Sequence, residues 1–156
     1  MRPLALALLA ASVASGAGAQ PFLPTERAAI DLVRSRHTDS LATVDGTLAY
    51  AERATGGAFT RGGYRVVRRP GEPFARVQIC YRLGIDPPTC GLDYLVTVNP
   101  PHIEPAQRHD GLARDLEHGP RAFLRALARE ADLQRQPAAL RRIEAALEPD
   151  SPYDWR

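Results

Sequence analysis

The chain contains no lysine, and its 20 basic residues, all arginine, face 18 acidic ones for a formal net charge of +2. That near balance excludes the broad basic excess of a general nucleic-acid binder. Missing lysine fits the codon usage of a GC-rich genome, although arginine also forks onto anions better than lysine does. Cysteine is scarce too: Cys80 and Cys90 are the only two, and their spacing matches no short CxxC redox or zinc motif. Serine is thin beyond the N-terminus, and Ser35, Ser40 and Ser151 lie in no GxSxG, which removes the nucleophile-elbow hydrolases. The pairs Gly56-Gly57 and Gly62-Gly63 lack the spacing of a phosphate-cradling loop and read as turns.

Long apolar runs are also missing. The longest, Leu4 to Ala11, is far shorter than the ~20 residues of a membrane span. Preceded by Arg2 and followed by Ala17-Gly18-Ala19, it predicts a signal peptide over residues 1–19, with the working protein starting at Gln20. No cysteine at that point marks a lipid anchor, so a soluble, exported, periplasmic or extracellular bacterial protein with no transmembrane segment is expected. Export in turn makes a Cys80–Cys90 disulfide the default, contributing about 2 to 3 kcal/mol by closing a short loop.

Periodicity organises the rest into one α+β domain over residues 20–148. Pro24-Thr25-Glu26 opens a helix that runs to about Arg36, with Ala29, Leu32 and Val33 recurring at helical spacing. A second helix follows Asp45 or Thr47 and stops at Gly56-Gly57. The pattern then alternates in Tyr64–Arg69, Phe74–Leu83 and Cys90–Asn99, a three-stranded antiparallel meander over about residues 64–99. Tyr64 is expected opposite Ile79 and Val66 opposite Val77. After Asn99-Pro100-Pro101 the chain is expected to turn helical over about 106–148, Gly119-Pro120 separating two segments and Pro137 opening the last. Residues 149–156 have no periodicity and read as a flexible tail, with Trp155 able to dock.

The bridge and the apolar pattern conflict. Odd residues Ala75, Val77, Ile79 and Tyr81 place Cys80 on the opposite face, whereas even residues Leu92, Tyr94, Val96 and Val98 place Cys90 on the apolar one. A one-residue irregularity, a bulge at Gly91 or Cys90 preceding the strand proper, reconciles them.

The face opposite the apolar one collects Arg65, Arg69, Arg76, Gln78 and Arg82. From Arg61 to Arg82 there are six arginines and Glu72 is the only acid. Such a face suits an anionic envelope ligand or an acidic protein. The competing account is internal neutralisation, by Glu130, Asp132, Glu144 and Glu148 from covering C-terminal helices and by Asp93 within the sheet. His102, Glu104, His109, Asp110, Glu117 and His118 hold metal-ligand chemistry in poor spacing. Ordinary i,i+4 pairs, Asp110 with Arg114 and Glu117 with Arg121, account for much of it, so no metal and no cofactor is assigned. Asp45-Gly46-Thr47 matches the tail of a phosphatase nucleophile motif, but its leading position is Thr43, and a helix cap uses the same residue types.

The order of helix, meander and proline-marked exit over about residues 45–105 is similar to cystatin-like and PepSY-like modules. Gln78-Ile79-Cys80 is strand where the cystatin loop would be, so no site carries over. The leading expectation is a non-enzymatic binding or accessory module using the arginine face. The alternatives are a small secreted hydrolase built on His102 or His109 with Glu104 or Asp110, and a structural envelope protein with an exposed apolar patch.

Overall fold

The computed structural model describes residues 24–98, 100–106 and 111–148. The expected signal peptide, His109, Asp110 and the tail with Trp155 lie outside the described residues. The described chain is α+β, in the order α1 (Glu26–Ser35), α2 (Val44–Ala54), β1 (Phe59–Val67), β2 (Ala75–Leu83), β3 (Thr89–Val98), β4 (Pro101–Pro105), α3 (Leu112–Glu117), α4 (Pro120–Leu133) and α5 (Pro137–Leu147).

The Thr25 hydroxyl caps α1 by accepting from the Ala28 N–H at 3.2 Å, a contact contributing about 1 kcal/mol. The cap of α2 is neither Asp45 nor Thr47. It is Thr43, whose hydroxyl accepts from Gly46 N at 3.0 Å, so Asp45 falls in the first turn, near the positive end of the helix dipole. Thr55 ends α2. Its buried hydroxyl donates to Ala51 O at 2.8 Å and accepts from Phe59 N at 3.1 Å, tying the helix end to the first strand. Gly56 and Gly57 make that turn with φ of 56° and 82°, values favouring residues without a Cβ.

The four strands form one antiparallel sheet in sequential order. The expected pairs Tyr64 with Ile79 and Val66 with Val77 are present, as is the irregularity at the bridge. The register passes from Ile79 opposite Leu92 to Cys80 opposite Cys90, leaving Gly91 as the extra residue. The Cys80–Cys90 disulfide therefore forms on the face away from the core, near the end of its hairpin.

Two expectations are corrected. Gly62-Gly63 is not a turn: β1 begins at Phe59 and passes through the pair, where the register slips between Arg61 and Tyr64. A Cβ on Gly62 would sit 2.8 Å from the Cys80 carbonyl oxygen, so the absence of a side chain allows this approach. The segment after Asn99 is not yet helical either, because Pro101–Pro105 pairs with β3, Thr97 opposite His102 and Leu95 opposite Glu104. It is an edge strand, where proline's missing N–H can face away from the ladder, and the prolines hid it from the sequence reading.

One apolar core joins the odd face of β2 (Val77, Ile79, Tyr81, Leu83) and the even face of β3 (Leu92, Tyr94, Val96) to all five helices. The Phe123 ring of α4 meets Phe59 edge-on at 5.4 Å, and Phe59 stacks on Tyr81 at 5.8 Å. Leu124, Leu127 and Ala131 of α4, with Ala139 and Ile143 of α5, continue the same cluster. The C-terminal helices therefore lie on the apolar side of the sheet.

Candidate functional site: the arginine face of the sheet

Alternation places Thr60, Arg65 and Val67 of β1, Arg76, Gln78, Cys80 and Arg82 of β2, and Asp93 and Leu95 of β3 on the face away from the helices. Cross-strand pairing sets Arg65 opposite Gln78 and Gln78 opposite Asp93, with Thr60 opposite Arg82. The five residues singled out in the sequence divide into two groups here.

Arg76 and Gln78 face inward on Asp93. The Asp93 carboxylate is buried, its side chain only 1% exposed and that of Arg76 16%. Arg76 Nη1 donates to its Oδ2 at 3.2 Å and Gln78 Nε2 to its Oδ1 at 3.1 Å. Burial makes this a charge-assisted contact in a low-dielectric setting, where leaving one partner alone is expensive. The in-sheet half of internal neutralisation is thus realised at Arg76.

Arg65 and Arg82 are exposed and, among the described residues, have no ion-pair partner. Arg69 lies past the end of β1 and meets Glu72 only loosely, at 3.9 Å with its own side chain 62% exposed. Covering helices do not neutralise them. Glu130 accepts from Gln134 Nε2 at 2.5 Å on the helical side, because α4 and α5 use their apolar stripes against the other face.

Among the described residues, His102, Glu104, Glu117 and His118 do not converge. His102 and Glu104 sit two apart on β4 with Nε2 to Oε2 at 3.0 Å, at 60% and 51% exposure, in solvent rather than in a cleft. His118 pairs elsewhere, with Asp39 at 2.7 Å. Glu117 does not pair with Arg121 as its spacing suggested. It accepts both contacts from Arg36 Nε, at 3.0 and 2.8 Å, joining α1's end to α3. Beside it Tyr94 is fully buried, and burial first, then the charge and hydrogen bonding of the Glu117 carboxylate, pushes its ionisation well above the usual phenol range. Among the described residues no group of three or more His, Cys, Asp or Glu could hold a metal ion, and no helix is long and apolar enough to cross a membrane.

A second polar cluster escaped the sequence reading. Where α1, α2 and β1 meet, Arg34, Asp45, Glu52, Arg61 and Tyr64 line a cleft of about 410 Å³ over Leu48 and Ile79. Its members lie up to 30 positions apart, so no spacing announces them, and alternation places Tyr64 only on the apolar face.

No family model matches the chain, and neither a curated protein nor a solved structure matches it.

Proposed function

We propose that this is an exported, non-enzymatic binding or accessory module that receives an anionic ligand or acidic partner on its sheet face through Arg65, Arg82 and Arg69. One observation carries the reading: all five helices pack on the opposite side, so Arg65 and Arg82 stay exposed without an acidic partner among the described residues. Arg76 and Gln78, engaged with Asp93, shape the platform rather than reach the ligand. Gln78 and Arg82 lie four residues apart on β2, roughly 13 Å at strand rise. Long arginine side chains on Arg65 and Arg82 therefore suit a ligand bearing two or more anionic groups over the Cys80–Cys90 bridge.

The test compares the oxidised protein with an Arg65→Gln/Arg82→Gln double variant against two probes, poly-L-glutamate and inorganic polyphosphate, at low and physiological salt. The expected result is binding to at least one probe that weakens with salt and drops about tenfold or more in the variant, whose circular dichroism is unchanged. Binding that ignores both salt and the substitutions, or no binding to either probe, would overturn the reading.

A further inference from the structure

The cleft at the β1 edge is chemically unlike the arginine face. Asp45 Oδ1 accepts from the Tyr64 hydroxyl at 3.0 Å and from Arg61 Nη1 at 3.5 Å, while its Oδ2 accepts from Arg34 Nη2 at 3.3 Å. Glu52 accepts from Arg61 Nε at 3.0 Å and from the Arg61 backbone N–H at 3.2 Å. The Arg34 guanidinium also stands 5.9 Å over the Tyr64 ring. Beneath these groups, Leu48 and Ile79 form an apolar floor.

Each guanidinium carries five N–H donors, and Asp45 takes only one nitrogen of Arg34, at a long distance. Among the described residues nothing takes Nη2 of Arg61. Donors are thus left over on two arginines that flank one carboxylate, and acceptor capacity is left over on Glu52, which receives one donor per oxygen. The lining carries two positive and two negative side chains. A lone anion entering it meets Asp45 and Glu52, and a lone cation meets Arg34 and Arg61; a molecule carrying both charges meets neither imbalance.

We propose that this cleft binds a small zwitterion of the amino-acid or dipeptide class. Its carboxylate lies between Arg34 and Arg61, its ammonium on Glu52, and an aliphatic side chain over Leu48 and Ile79. The cleft's about 410 Å³ falls within the roughly 300 to 1,000 Å³ of small-ligand sites. Gly62 on its rim adds no side chain to obstruct entry. The site shares no residue with the arginine face, so the two readings stand or fall separately.

Calorimetric titration of the oxidised protein with L-alanyl-L-leucine, its N-acetyl form, its C-terminal amide and free L-leucine tests the proposal. Saturable binding of the free dipeptide or of leucine is expected, with about tenfold or greater weakening of the dipeptide when either end is blocked. Which of the two binds tighter sets the ligand's length. Arg34→Gln, an exposed position, should abolish the distinction between acid and amide, and Glu52→Gln that between free and acetylated amine. Absence of binding by any free form up to about 10 mM, or affinity indifferent to blocking and to both substitutions, would refute it.

Discussion

Arg76→Gln and Arg65→Gln change the same residue type on the same face of the same sheet, and the structure assigns them very different consequences. Arg76 is a charged partner of a carboxylate that is 1% exposed, so shortening it takes one ionic contact away from a buried negative charge. Removing one member of a buried pair costs about 3 to 5 kcal/mol, and the 16% exposure of Arg76 argues for the lower end, ~3 kcal/mol. With a urea m-value of about 1.5 kcal/mol per molar, that moves the denaturation midpoint down by ~2 M. Arg65, exposed and unpaired among the described residues, should shift it by no more than ~0.3 M. Adding Asp93→Asn to Arg76→Gln removes that buried charge and should recover part of the loss, giving a coupling term in a double-mutant cycle. Equilibrium urea unfolding followed by circular dichroism reads all five proteins: the parent, Arg76→Gln, Asp93→Asn, their double variant and Arg65→Gln. If Arg76→Gln unfolds at the same urea concentration as Arg65→Gln, the division of this face into a supporting half and a ligand-facing half is wrong.

Reducing the Cys80–Cys90 bridge, which spans a sequence separation of 10, should cost about 2 to 3 kcal/mol, read as a lower melting temperature; two free thiols found by mass after alkylation of non-reduced protein would remove its premise. Gly62→Ala should destabilise by more than ~1 kcal/mol because its Cβ would lie 2.8 Å from the Cys80 carbonyl oxygen, whereas Gly63→Ala, with nothing within 4 Å, should be near neutral; equal effects in thermal melts would contradict the close approach. Tyr94 and Tyr64 are both raised above the ordinary phenol value of 10.0, burial being the largest cause in each and the Glu117 or Asp45 charge the next. The folded protein therefore holds these protons more tightly than the unfolded chain, so their contribution is intact below about pH 10 and declines as pH rises beyond it. Urea midpoints measured from pH 8 to 11.5 should fall at the alkaline end, and Tyr94→Phe should flatten that fall; an unchanged slope would contradict the burial argument.

Much of the fold was legible because local physics determined it. Thr25 before Glu26, Gly119-Pro120 and Pro137 punctuate helices by capping and by proline's fixed φ, and the alternation from Tyr64 to Val96 fixes which side of each strand is buried. The same alternation, set against the cysteine positions, is enough to require an irregularity by Gly91. The misreadings occurred where a local signal has two meanings. Proline marks loops and edge strands alike, and Gly-Gly marks turns and bulges alike, so β4 and the start of β1 are defined only by their pairing partners.

The candidate sites divide in the same way. By itself the sequence determined that Arg65, Arg69, Arg76, Gln78 and Arg82 gather away from the apolar face, because strand periodicity is a local property, and that Cys80 and Cys90 could meet across a hairpin. Only the tertiary structure decided that α4 and α5 pack on the far side and leave Arg65 and Arg82 exposed, and that Arg76 and Gln78 belong to Asp93. It alone brought Arg34, Asp45, Glu52, Arg61 and Tyr64 around one cleft. The physical reason is range: capping, alternation and turn chemistry act over a few residues, whereas which side a helix covers and which charges meet depend on burying apolar surface contributed by the whole chain.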